Sequence, residues 1–148
     1  NDLATPGTGA NNTQALHNLL IIAERGSDRG DGILDAAPDD EGNQPAGYLD
    51  FDLGFVATGA SIVLVDIEES GGTIEFRTIT EGLVTVSIPA LNDNSVQTIA
   101  YDDAAFTGFR VNLAGSGAIG GLEIVPTPAS LSMLGLAGLV ATRRRRNA

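Results

Sequence analysis

Apolar side chains recur at every second residue through most of this chain, in short runs closed by glycine, asparagine or aspartate. From Gly47 to Leu53, Leu49, Phe51 and Leu53 fall on one face and Tyr48, Asp50 and Asp52 on the other. Thr73–Ile79 sets Ile74 and Phe76 against Glu75 and Arg77 after the Gly71-Gly72 turn, and Thr107–Leu113 sets Phe109, Val111 and Leu113 against Arg110 and Asn112. Successive side chains of a strand point to opposite faces, so this pattern predicts half-buried strands. Ala60–Glu68 is more continuously apolar, as a central strand is, and Leu19, Leu20, Ile21 and Ile22 make Asn18–Glu24 a short buried run. Leu83–Ile88, Val96–Tyr101 and Ala118–Val125 complete eight expected strands. Before Pro126 no segment keeps helical spacing for more than about two turns. The expected fold is all-β, an antiparallel two-sheet sandwich over residues 1–125, jelly-roll-like, with an immunoglobulin-like sandwich as runner-up. Its core should hold Leu49, Phe51, Ile62, Leu64, Phe76, Val111 and Leu113.

Charge narrows the partners. The 19 acids face eight basic residues, all arginine, and four of those stand together at Arg143, Arg144, Arg145 and Arg146. The rest of the chain is therefore strongly acidic and repels phosphate backbones, which argues against nucleic acid. Cysteine is absent, so disulfides, thiolate metal sites and cysteine nucleophiles are excluded. The opening Asn1-Asp2-Leu3 reads as the end of a strand entering a turn at Pro6-Gly7, as expected of a fragment.

The last residues change character. A hinge with Pro126 and Pro128 is followed by an uncharged apolar stretch, Ala129 to Thr142, and then by the four arginines. As a helix the stretch is about 21 Å long, short of a comfortable span but able to cross a thinned bilayer with the arginine stems snorkelling. The arginines place its C-terminal end in the cytoplasm.

Val125, Pro126, Thr127 and Pro128, then Leu134-Gly135-Leu136, then Arg143 to Arg146, together resemble the PEP-CTERM sorting signal of bacteria, whose hinge reads Val-Pro-Glu-Pro; Thr127 stands where Glu is usual. The resemblance implies export, transient membrane anchoring through the C-terminal helix, recognition by an exosortase-type membrane protease, and delivery to the cell surface or extracellular matrix. From Asn18 to Val125 the body is similar to exported domains found upstream of this tag. The matching segments are Pro38–Gly42, Asp66-Ile67-Glu68, Leu91–Gln97 and Val111–Ile119, with Gly120-Gly121 where those domains carry Asp-Asn. That likeness implies a fold and a compartment, and no activity.

Chemistry has one notable candidate. Glu24, Asp28, Asp31, Asp35, Asp39, Asp40 and Glu41 lie close together among Gly26, Gly30 and Gly32. Calcium takes six to eight oxygens from such flexible acidic loops. The expected ligands are Asp28, Asp31, Asp35 and Asp39, with Glu24 and Asp40 in reserve. The strict EF-hand pattern fails, because Arg29 and Ser27 precede Asp31 where oxygen ligands belong. The bland alternative is a solvated acidic loop. Asp66, Glu68 and Glu69 read as a solvated strand end. His17, the only histidine, reads as an ordinary surface residue, so an enzyme is not expected. Three functions compete: a non-enzymatic surface or matrix protein, a calcium-dependent carbohydrate-binding module contacting envelope or matrix polysaccharide, and a hydrolase, which would need an acid–base pair in a pocket. The second wants exposed aromatic rings, for which Tyr48 and Tyr101 are the outward candidates.

Overall fold

The computed structural model describes residues 3–23, 30 and 44–128. Their elements are all strands: β1 (Leu20–Ile21), β2 (Gly47–Val65), β3 (Thr73–Thr78), β4 (Leu83–Ser87), β5 (Val96–Tyr101), β6 (Phe106–Leu113) and β7 (Ala118–Pro126). Every pairing is antiparallel. Hydrogen bonds join them into one seven-stranded sheet of order β1-β7-β2-β6-β3-β4, with β5 also bonded to β2. The all-β antiparallel expectation holds.

The eight expected strands become seven, because Gly47–Leu53 and Ala60–Glu68 are two parts of β2. Between Asp52 and Ala57 the register with β6 shifts. Gly54, at φ 66°, takes the irregular step, and its N–H is accepted by Asp52 Oδ1 at 3.1 Å. The strand bends sharply across this step, because its Gly47 end pairs with Leu113 and its Val65 end with Ala118, only five residues further along. Before the shift β2 pairs with β6; beyond it β2 pairs with β7 on one side and β5 on the other. The central position expected of the Ala60 run is thereby explained.

Ile62, Leu64, Phe76, Val111 and Leu113 are buried, and Leu49 and Phe51 pack against them partly covered. Register aligns Phe51, Phe109 and Phe76 across β2, β6 and β3, and the rings of Phe51 and Phe109 stack at 4.8 Å. Tyr101 of β5 stacks on Phe76 of β3 at 3.9 Å, although those strands share no ladder. Tyr101 is therefore a core residue at 3% exposure, against the expectation that it faces outward. Strand parity is the reason: Tyr101 falls on the same face of β5 as Ile99, with Thr98 and Ala100 outside. Burial, and then the charges of Asp103 and Glu81, push its phenol pKa up.

The Asn18–Glu24 run is also corrected. Only Leu20 and Ile21 pair, with Ile119 and Ala118, and Leu20 stays 45% exposed, because an edge strand is covered on one side only. Leu16 and Leu19 lie over Gly120 instead. A Cβ there would come within 2.7 Å of Leu16 Cδ1, so a side chain at this position would make the Leu16 side chain shift.

Phe76→Ala should cost about 3–5 kcal/mol by removing the ring that Tyr101, Phe106 and Phe109 surround. Tyr101→Phe keeps the stack and removes a hydroxyl with no hydrogen-bond partner, so the urea midpoint should stay the same or rise. A loss above about 1 kcal/mol in Tyr101→Phe would show that the hydroxyl is bonded after all.

Candidate functional site

β2 ends in an abrupt corner. After Val65 the chain turns at Asp66, which adopts φ 60°, a region that non-glycine residues visit mainly as Asn or Asp. The corner is held from the Leu91–Gln97 loop: Asp66 N–H donates to Ser95 O at 2.9 Å, Leu91 N–H to Ile67 O at 2.7 Å, and Asn94 N–H to Asp66 Oδ1 at 2.6 Å. Ser116 Oγ of the β6–β7 turn lies 3.3 Å from Asp66 O. The Asp66–Glu68, Leu91–Gln97 and Val111–Ile119 segments, three of the four singled out in the sequence, thus meet at one place. The fourth, Pro38–Gly42, lies outside the described residues.

Asp66 is 1% exposed, not solvated as the sequence suggested. Alternating apolar residues announce a strand, but nothing in Val-Asp-Ile-Glu-Glu says that a loop some 28 residues later will close over the first acid. The carboxylate oxygens of Asp66, Glu68 and Asp93 lie within 4.8 Å of one another, with Asp66 buried and the other two exposed. An all-carboxylate set of hard oxygens suits calcium or magnesium, and its two exposed members leave room for waters. The N-terminal segment buttresses the corner: Asn12 Nδ2 donates to Asn94 O and Ala4 O, both at 2.8 Å, and to the Asn94 side chain. Val96 N–H donates to Ala10 O at 2.9 Å. The buried Asn12 Oδ1 has no hydrogen-bond partner.

A second group sits on the outer face of β2, β6 and β3. Asp50 accepts from Arg77 Nη1 at 2.7 Å on Oδ1, and from Arg110 Nη2 at 2.8 Å and Nε at 3.0 Å on Oδ2. Arg77 also donates to Phe51 O at 2.7 Å, and the Arg110 guanidinium lies 4.1 Å over the Tyr48 ring. Register opposes Asp50 to Arg110 on one side, and Arg110 to Glu75 on the other, so alternation alone brings these charges together. Arg110, and then Arg77, hold the Asp50 carboxyl below the usual carboxylate range.

The other expected site residues divide. Asp28, Asp31, Asp35 and Asp39, with the reserves Glu24 and Asp40, lie outside the described residues, and so do Arg143 to Arg146 and the expected helix Ala129–Arg143. Among the described residues no helix is long and apolar enough to cross a membrane. Val125 and Pro126 belong to β7: Pro126 pairs with Ala57, and Thr127 N–H donates to Val56 O at 2.9 Å. His17 is exposed. Compared with protein-family models, curated proteins and solved structures, the chain finds no match.

The Asp50 cluster carries a pH prediction. Its carboxyl is held low in the folded state, so its contribution to stability is present at neutral pH and lost as the pH falls through the lowered value. The melting-temperature gap between the parent and Asp50→Asn should be open at about pH 7 and close below about pH 4. With the side chains about a third exposed, the gap is small. A gap that stays constant from about pH 7 down to about pH 2 would show that the two ion pairs contribute nothing.

Proposed function

We propose that this chain is a non-enzymatic exported protein of the bacterial cell surface or extracellular matrix, sorted by a PEP-CTERM-like signal that opens at Val125–Pro128 and closes on Arg143–Arg146. The observation that carries the reading is where the sheet stops. Its last strand ends at Pro126, so Val125 and Pro126, the first two residues of the motif, are the last two of β7, and Thr127 N–H bonds to Val56 O. A processing enzyme needs an extended, accessible segment, and a proline-bearing exit from an edge of the ladder supplies one. The partner is an exosortase-type membrane protease, with the membrane met through the C-terminal helix before processing. The single histidine lies on the surface, and the reading takes no acid–base chemistry from it. In fold, the stacking of Tyr101 on Phe76 supports a jelly-roll-like sandwich of two layers that share β2 across its irregular step.

The Asp66, Glu68 and Asp93 grouping favours a second reading, a calcium-dependent carbohydrate-binding module. In it, calcium at the corner would tie the end of β2 to the Leu91–Gln97 loop, replacing repulsion among three carboxylates by attraction. The Asp28–Asp39 loop is the other place for calcium.

Two measurements separate these readings. Deleting residues 129–148, which spares the Pro126 and Thr127 backbone bonds, should leave the melting temperature of the purified domain unchanged and abolish surface delivery in the cell. Normal delivery of the truncated chain would refute the sorting reading. For calcium, unfolding is compared in chelator and in about 10 mM calcium; ligand at a hundredfold over its dissociation constant stabilises by about 2.7 kcal/mol. A shift that disappears in Glu68→Gln with Asp93→Asn assigns the ion to the corner. One that survives there but is lost in Asp31→Asn with Asp35→Asn assigns it to the acidic loop, and no shift in the parent removes calcium from the account.

A further inference from the structure

A groove of about 470 Å³ opens beside the start of β2, where the outer face of the sheet meets the turn after the corner. Gln44, Tyr48, Glu69, Ser70, Gly71 and Asn112 contribute to its walls. Its volume is within the range of small-molecule sites, roughly 300–1,000 Å³. What separates it from an ordinary surface dip is that its three strongest recognition groups are each held in place by a residue behind them.

Tyr48 is the most exposed aromatic side chain, at 57%, and one face of its ring is backed by the Arg110 guanidinium. Arg110 is in turn fixed by Asp50, and Asp50 by Arg77. Asn112 stands opposite Tyr48 in the β2–β6 register and donates its amide to Thr73 Oγ1 at 3.0 Å, which leaves the amide oxygen to accept. Glu69 accepts from Ser116 Oγ at 3.1 Å through Oε2, which leaves Oε1 to accept. Gly115 is required for that pose, because a Cβ there would fall 2.3 Å from the Glu69 carboxyl carbon. Aromatic ring, amide and carboxylate are thus positioned before any ligand arrives, which lowers the ordering cost of binding.

We infer that this groove binds an uncharged pyranose unit of a polysaccharide. A pyranose has an apolar C–H face that suits the open side of a tyrosine ring, and a rim of hydroxyls whose protons an amide oxygen and a carboxylate oxygen accept. The Glu69 carboxylate and the acidic chain around it disfavour uronic acids and sulfated sugars, so the ligand is neutral. This deepens the carbohydrate-binding reading and rests on it. It requires neither calcium nor the sorting signal.

The test is native affinity electrophoresis of the full chain in gels containing mannan, hydroxyethyl cellulose or a soluble β-1,3-glucan, with alginate as the anionic control, in chelator throughout. At least one neutral polymer should retard the protein and alginate should not. Tyr48→Ala and, separately, Asn112→Ala should each weaken that retardation about tenfold while leaving the melting temperature near that of the parent. Ile79→Ala removes an equally exposed apolar side chain elsewhere on the protein and should change nothing. Retardation by a neutral polymer that persists in both groove variants overturns the groove and keeps the carbohydrate reading. Retardation lost equally in Ile79→Ala, or stronger with alginate, also overturns the groove. No retardation by any neutral polymer overturns both.

Discussion

One strand organises this molecule. β2 hydrogen-bonds directly to β5, β6 and β7: β7 takes one edge, and on the other β6 gives way to β5 after the irregular step between Asp52 and Ala57. A uniform strand has only two edges, so it can serve three long neighbours only by exchanging one of them along its length. The step at Gly54 permits that exchange. It also sets which rings meet. The first part of β2 delivers Phe51 to Phe109, and through β6 to Phe76 of β3, while the second part holds β5 so that Tyr101 reaches Phe76. The aromatic cluster is thus a consequence of how β2 is shared.

Much of this was legible because burial on one face leaves a period of two in the sequence. Phe109, Val111 and Leu113 against Arg110 and Asn112 could be read directly, and β6 is where they point. The same rule, applied to Val96–Tyr101, puts Tyr101 inside with Ile99; its hydroxyl tempted the opposite reading, but a ring of that size contributes more by packing than its oxygen costs. Leu19–Ile22 failed for another reason. A four-residue apolar run says that its side chains avoid water without saying how many neighbours the backbone will find, and here it found β7 alone.

The corner was not legible, and the cause is sequence distance. Asp66 is buried because Asn94, Ser95 and Ser116 bring their backbone and hydroxyl groups to it from loops far along the chain. Each of those loops, taken alone, is a polar turn between strands. A buried carboxylate requires hydrogen bonds or a cation, since an ionised group in a dry site is otherwise expensive. The Asn94 N–H supplies one of those interactions. Neighbouring Glu68 and Asp93 add charge of the same sign, a repulsion that a cation at this point would relieve.

The corner and the groove are coupled through one hydroxyl, since Ser116 Oγ lies within bonding distance of both Asp66 O and Glu69 Oε2. Whatever orders the corner therefore also bears on the pose of Glu69. Both lie at the Val65–Ala118 end of the β2–β7 ladder, whereas the chain leaves that ladder at the Ala57–Pro126 end. Eight residue steps along β7 at about 3.4 Å each put the two ends some 27 Å apart. The corner with its groove therefore lies at one end of the ladder, and the segment leading to residues 129–148 leaves from the other.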